Sequence, residues 1–166
     1  MAFDSFLKLG SVIPGESTDD KHKDWIEVLS YHWGVSQPAS GSSSSGGARA
    51  AERANITDMS FVHTLDKASP KLFCHCCDGK HIPEATLELC RATGDKQKYM
   101  EYKMTDVIVS SVRPGGACQG SEPLPLEEFS INFGKIELIY TCTDHKTGKP
   151  SGDVKAHWDM TANKGG

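Results

Sequence analysis

Phe129-Ser130-Ile131-Asn132-Phe133-Gly134-Lys135-Ile136-Glu137-Leu138-Ile139-Tyr140 holds two runs of alternation that are out of phase with each other. Phe129, Ile131 and Phe133 share one parity; Ile136, Leu138 and Tyr140 share the other. Side chains alternate across a strand, so one straight strand cannot keep both sets on the same face. The switch falls at Gly134, where a bulge or sharp bend lets the chain keep its apolar side chains inward. Strands that bend in this way turn the corner of a barrel or pass between packed sheets. Segment 124–142 therefore points to an all-β core.

The same period of two extends outward from this stretch. Val154, Ala156, Trp158 and Met160 alternate with Lys155, His157 and Asp159, as in a strand with one buried face. Met100, Tyr102 and Met104 alternate with Glu101 and Lys103, and the run continues through Val107-Ile108-Val109. Met59, Phe61 and Leu65 share a face around Ser60 and Thr64. Segments 3–9, 25–36 and 84–92 complete a set of seven strand candidates.

One helix is predicted over 69–78. Ser69 can cap it, Pro70 suits its first position, and Gly79 suits the left-handed residue just past its end. It is too short to persist alone and must pack on the sheets. The expected fold is thus mainly β: a compact barrel of two packed, mostly antiparallel sheets with one short helix, forming a single domain over 1–166.

Two connections stand apart. Residues 38–54 include Pro38-Ala39-Ser40-Gly41-Ser42-Ser43-Ser44-Ser45-Gly46-Gly47, too poor in apolar groups to order themselves. Such a long extended loop inside a compact domain is either functional or disordered. Residues 11–24 form a second polar connection, with Pro14-Gly15 as the turn signal.

Composition narrows the function classes. The 166 residues, 37% apolar and 24% charged, are ordinary for a globular domain. A net charge of −4 without clustered Lys and Arg argues against nucleic acid and anionic membrane as partners. No segment approaches the roughly 20 apolar residues of a membrane span. The opening Met1-Ala2-Phe3-Asp4-Ser5-Phe6 lacks the basic and apolar regions of a signal peptide. Synthesis in the cytoplasm is expected, with any export using a route that ignores such signals. Six cysteines in a reducing compartment are expected to be free thiols.

The sharpest chemical motif is Cys74-x-Cys76-Cys77-x₃-His81, with His75 beside it. A structural zinc site needs four converging ligands, and no second Cys or His pair at zinc spacing follows. Small thiols filling a helix–sheet contact account for the cluster, and no metal or cofactor is expected. The chain has no Gly-x-Ser-x-Gly elbow, no His-Glu-x-x-His and no phosphate-cradling loop, so no catalytic residues are assigned. Trp25, Tyr31 and Trp33 form an aromatic row on one parity. On the other, Ser30, His32 and Gly34 are small or polar and suit a wet surface.

A resemblance emerges from these pieces in order. Phe6-Leu7-Lys8-Leu9, Pro14-Gly15-Glu16-Ser17 and Ile26-Glu27-Val28-Leu29-Ser30-Tyr31-His32-Trp33-Gly34 open it. Asp66-Lys67-Ala68-Ser69-Pro70, Gly79-Lys80-His81-Ile82-Pro83, Val107-Ile108-Val109-Ser110-Ser111-Val112 and Phe129-Ser130-Ile131-Asn132-Phe133 continue it over nearly the whole chain. Together they resemble the haemolysin-coregulated protein (Hcp) family. That resemblance implies a homohexameric ring of β-barrel subunits, stacked into the inner tube of a type VI secretion machine and itself exported. It implies effectors, a spike-tip protein and a contracting sheath as partners, with neither nucleic acid nor membrane insertion. On this reading Ser30 and His32 face the ring lumen and its effectors. Ser42, Ser43, Ser44, Ser45, Gly46, Gly47 and Arg49 belong to a loop that reaches the neighbouring ring. The helix cysteines depart from the small or apolar residues usual in the family. The competing expectation is a monomeric β-barrel binding module that holds zinc through the Cys74–His81 cluster.

Overall fold

In the computed structural model, which describes residues 2–39, 51–121 and 123–166, the bent stretch is the middle of a long strand. In chain order the strands are β1 (Phe3–Leu9), β2 (Ile26–Val28), β3 (Ser30–His32), β4 (Val35–Ser36), β5 (Asn55–Ile56) and β6 (Met59–Thr64). After the helix α1 (Ser69–Asp78) come β7 (Ile82–Arg91), β8 (Lys98–Gly115), β9 (Leu126–Thr143), β10 (Pro150–Asp159) and β11 (Lys164–Gly165). No helix among the described residues is long and apolar enough to cross a membrane.

β9 lies antiparallel to β8, with Met104 opposite Ile136 and Val107 opposite Phe133. Both strands change phase at the rung between them. Tyr102 and Met104 are buried before it in β8, Val107 and Val109 after it; Phe133 and Ile136 flank it in β9. Asp106 adopts a left-handed φ of 56° there. Gly134 faces this residue across the ladder, where a Cβ would meet the Asp106 carboxylate at 3.4 Å, an ordinary contact.

The strands form two antiparallel sheets, the larger with nine members in the order β11-β10-β9-β8-β7-β1-β2, with β6 joining β9 and β3 joining β6. This sheet curls into a barrel that no continuous ladder closes. Residues 26–32, expected as part of one strand over 25–36, change partner midway. β2 pairs with β1, the Leu29 N–H donates to the Val62 carbonyl at 2.8 Å, and β3 pairs with β6. Their phase changes with their partner. Ile26 and Val28 point into the core, whereas beyond Leu29 it is Tyr31 that is half-buried.

Leu7, Leu9, Met59, Phe61, Leu87, Met104, Phe129 and Ile131 fill the interior. Phe61 and Phe129 stack with ring centroids 5.1 Å apart. Truncating such a side chain to alanine costs roughly 3–5 kcal/mol, because the cavity it leaves collapses only in part. Leu72 anchors α1 to this core.

The helix spans the expected residues but is capped differently. Ala68 holds the cap position with helical φ −73°, and Ser69 already belongs to the helix. No side chain caps the helix; Asp66 instead closes the turn ahead of it, its carboxylate accepting the Ala68 N–H at 2.9 Å. Gly79 ends the helix with φ 64°, as its position suggested.

The 11–24 connection is irregular, yet it is pinned down. Gly15 donates to the Asp24 carbonyl at 2.7 Å and Ser17 to that of Trp25 at 3.0 Å. A Cβ on Gly15 would stand 2.4 Å from the Trp25 oxygen, so only glycine fits this close approach.

Candidate assembly surface

β10 is where the subunit is least complete. Its alternation suggested one buried face, but the structure leaves Pro150 to His157 exposed on both faces. β9 covers one edge, with Val154 opposite Tyr140, Ala156 opposite Leu138 and Trp158 opposite Ile136. Along the other edge β11 reaches only Trp158 and Asp159, and Gly166 bonds His157. The apolar row Ile136, Leu138, Tyr140 starts buried and ends in the open, where Tyr140 is 47% and Val154 63% exposed. A strand edge with free N–H and C=O groups beside an apolar strip is a template for another chain.

β3 places two of the expected site residues. Ser30 and His32 are exposed, and Tyr31 between them is half-buried. Tyr31 and Trp33 each pack on Tyr102 with ring centroids 5.8 Å apart. Burial, with the Tyr102 hydroxyl beside it, raises the Tyr31 phenol above its ordinary range. Trp25 does not belong to this row: it precedes β2 and meets the His22 ring edge-on at 4.9 Å.

β4 and β5 form a two-stranded ribbon, with Val35 opposite Ile56, and an Ala39–Ala51 bridge continues it outward. The Glu52 N–H donates to the Pro38 carbonyl at 3.1 Å, and the Gln37 amide donates to the Glu52 carbonyl. Arg53 ties the ribbon to the Met160 carbonyl at 2.6 Å. Ser42, Ser43, Ser44, Ser45, Gly46, Gly47 and Arg49 lie outside the described residues.

The helix cysteines do not converge. Cys74 and Cys77 are exposed rather than filling a helix–sheet contact, and of the three only Cys76 packs against the core. His81 instead meets Asp106 at 2.6 Å on the surface. Among the described residues the one group of three metal-ligating side chains is His22, Glu88 and Cys90, at a different place. His22 is buried, with Asp19 2.6 Å from Nδ1 and Glu88 2.6 Å from Nε2. Lys96, then His22, hold the Asp19 carboxyl down at about 2. No local motif marks this group, because 66 positions separate His22 from Glu88.

A second buried ionic group joins β6 to β9. His63 Nε2 lies 2.9 Å from Glu127. Its Nδ1 is 3.8 Å from Asp66, a Coulombic contact too long for a hydrogen bond. Burial favours the neutral ring, but Asp66 and Glu127 outweigh it and raise the imidazole above its ordinary value.

The fold and the sequence have known counterparts. Residues 6–140 match the family described as "Type VI secretion system effector, Hcp". The protein hcp1 of Pseudomonas aeruginosa is 38% identical over 164 residues, 98% of each chain. The crystal structure of Hcp1 from Salmonella typhimurium, 38% identical and covering 99% of both chains, superposes with a TM-score of 0.80. A structure titled "Structure of a type six secretion system protein", 35% identical, gives 0.91 over 99% of this chain and all of that one. The chain belongs to the Hcp family of type VI secretion proteins.

Proposed function

We propose that this protein is the ring-forming subunit of a type VI secretion inner tube, a structural component rather than an enzyme. Six copies close a ring, rings stack through the 38–54 excursion, and the tube is exported with effectors held against Ser30 and His32. Effectors, the spike-tip protein and the sheath are the partners this role requires.

The observation that carries the reading is the open edge of β10 with Tyr140 and Val154 beside it. Pairing that edge with a neighbour satisfies backbone groups and covers apolar surface in one contact. A head-to-tail contact repeated around an axis closes into a ring when its rotation fits. The exposed Ser30 and His32, on the face of β3 opposite Tyr31, suit a wet lumen wall. The outward ribbon at β4 and β5 suits contact between rings.

Light scattering on the purified chain tests the assembly. The expected mass is several-fold above the 18.0 kDa of one chain, most simply sixfold. A monomer at micromolar concentration would sink the reading.

A further inference from the structure

We propose that His22, Glu88 and Cys90 form a binding site for one zinc ion on the outer face of β1 and β7. Their ligand atoms lie within 4.8 Å of one another. Glu88 and Cys90 are two residues apart on β7, and the 11–24 connection folds back to lay His22 beside them. One imidazole nitrogen, one carboxylate oxygen and one thiol make a mixed set of the kind zinc accepts at three-ligand sites, with a fourth position left for solvent. Glu88 is the member open to water; His22 and Cys90 are buried.

The surroundings prepare the histidine for this role. Asp19 accepts at 2.6 Å from Nδ1, so once an ion replaces the proton between Nε2 and Glu88, Nε2 is the nitrogen left to bind it. A carboxylate behind a histidine is the usual support of a zinc ligand. The ring cannot turn away, because Phe6 stacks on it at 4.2 Å and 4°. The ion would offset the Glu88 carboxylate and a Cys90 thiolate; Lys98 also stands 3.6 Å from Glu88, and Asp19 is matched by Lys96 at 2.6 Å.

The ligand atoms must close up around an ion from separations of up to 4.8 Å, and Glu88 must also draw back. Nε2 and the Glu88 oxygen, 2.6 Å apart, share a proton. Two ligands about 2.0–2.1 Å from a tetrahedral zinc stand about 3.3 Å apart. Glu88 must therefore withdraw by about 0.7 Å, which a partly exposed, three-torsion side chain can do. The ion displaces the shared proton and the Cys90 thiol proton, both of which pass to solvent, and nothing is oxidised. The rival account is a plain ion-pair network that holds the 11–24 connection without metal.

Cobalt serves as the probe. The full chain, stripped with a chelator, should take up one equivalent of Co²⁺ with a thiolate-to-cobalt charge-transfer band, and Zn²⁺ should displace it. Cys90→Ser should abolish the band. Asp19→Asn should keep it and weaken affinity about ten- to a hundredfold. The triple variant Cys74→Ser/Cys76→Ser/Cys77→Ser should behave as the parent, which separates this site from the helix thiols. Should Cys90→Ser not fold, Glu88→Gln takes its place, with affinity expected to fall at least tenfold. The proposal is overturned by the absence of a band, by a band that survives Cys90→Ser, by loss of the band in the helix variant, or by unchanged affinity in Glu88→Gln. The outcome is independent of whether the chain forms rings.

Discussion

His63 shows how a single buried residue can tie stability to pH. Its ring is closed off from solvent between β6 and β9, with Glu127 2.9 Å from Nε2 and Asp66 3.8 Å from Nδ1. Burial disfavours the charged ring, yet the two carboxylates prevail and the folded value rises above the ordinary 6.5. A raised histidine stabilises the fold fully below its unfolded value and loses that contribution as pH climbs through its folded value. The window therefore opens near 6.5 and extends upward. His63→Gln keeps a polar side chain of similar reach but cannot titrate. Urea unfolding should show the parent's advantage over this variant greater at about pH 6 than at about pH 9, by about 1.4 kcal/mol per unit of displacement. An advantage that is flat across this range, or grows with pH, would mean that the ring is held neutral.

At the scale of elements, β10 is a strand whose pattern and surroundings disagree. Val154, Ala156 and Trp158 alternate as if one face were covered, yet within the subunit Val154 is 63% exposed. Alternation records that a face becomes covered, not which chain covers it. On the proposed assembly, the disagreement marks the place where a second copy covers the strand. Val154→Lys should abolish assembly by placing a charge on the open edge, while subunit stability stays within about 0.5 kcal/mol because the site is exposed. A light-scattering mass near that of one chain, with an unchanged melting curve, is the expected pair of results. Retained assembly would place the subunit contact elsewhere.

The same comparison shows what the sequence could disclose. The kink at Gly134 was legible, because a shift of parity at a glycine is a local event with one cheap explanation. The hand-over at Leu29 was not, because Ile26-Glu27-Val28-Leu29-Ser30-Tyr31 carries no glycine or proline where the partner changes. The helix limits were legible from Pro70 and Gly79, while the expected Ser69 cap was not realised, because the helix starts one residue earlier, with Ala68 at the cap position and no side chain on its free N–H groups. The His22, Glu88 and Cys90 group was invisible. It depends on a fold-back of the chain that no spacing rule encodes. The cysteine run on α1 drew attention for its density, yet three-dimensional convergence decides a metal site, and that run lacks it.

At the scale of the whole molecule, the proposed function gives the barrel and the 38–54 segment separate ends. The core of Leu7, Phe61, Phe129 and Ile131 is built from strands that lie outside the 38–54 segment. Its base is a ribbon held by Val35 opposite Ile56, by the Ala39–Ala51 bridge and by Arg53 reaching Met160. Replacing residues 40–50 by a few glycines and serines keeps every one of those contacts. Loop length enters stability only logarithmically, at about 0.6 kcal/mol per doubling, so thermal unfolding and the mass of a single ring should hardly change. Contact between rings should change a great deal if these residues make it. Ordering a polar segment on contact is opposed by its conformational entropy, so ring-to-ring association should be weak and concentration-dependent even in the parent. In the proposed tube, weak association would leave little margin for losing contacts. Electron microscopy should show rings without tubes for the shortened chain, and its secretion should fall sharply. A shortened chain that fails to fold would show that the excursion belongs to the core. One that still builds tubes and is exported normally would assign stacking to another surface.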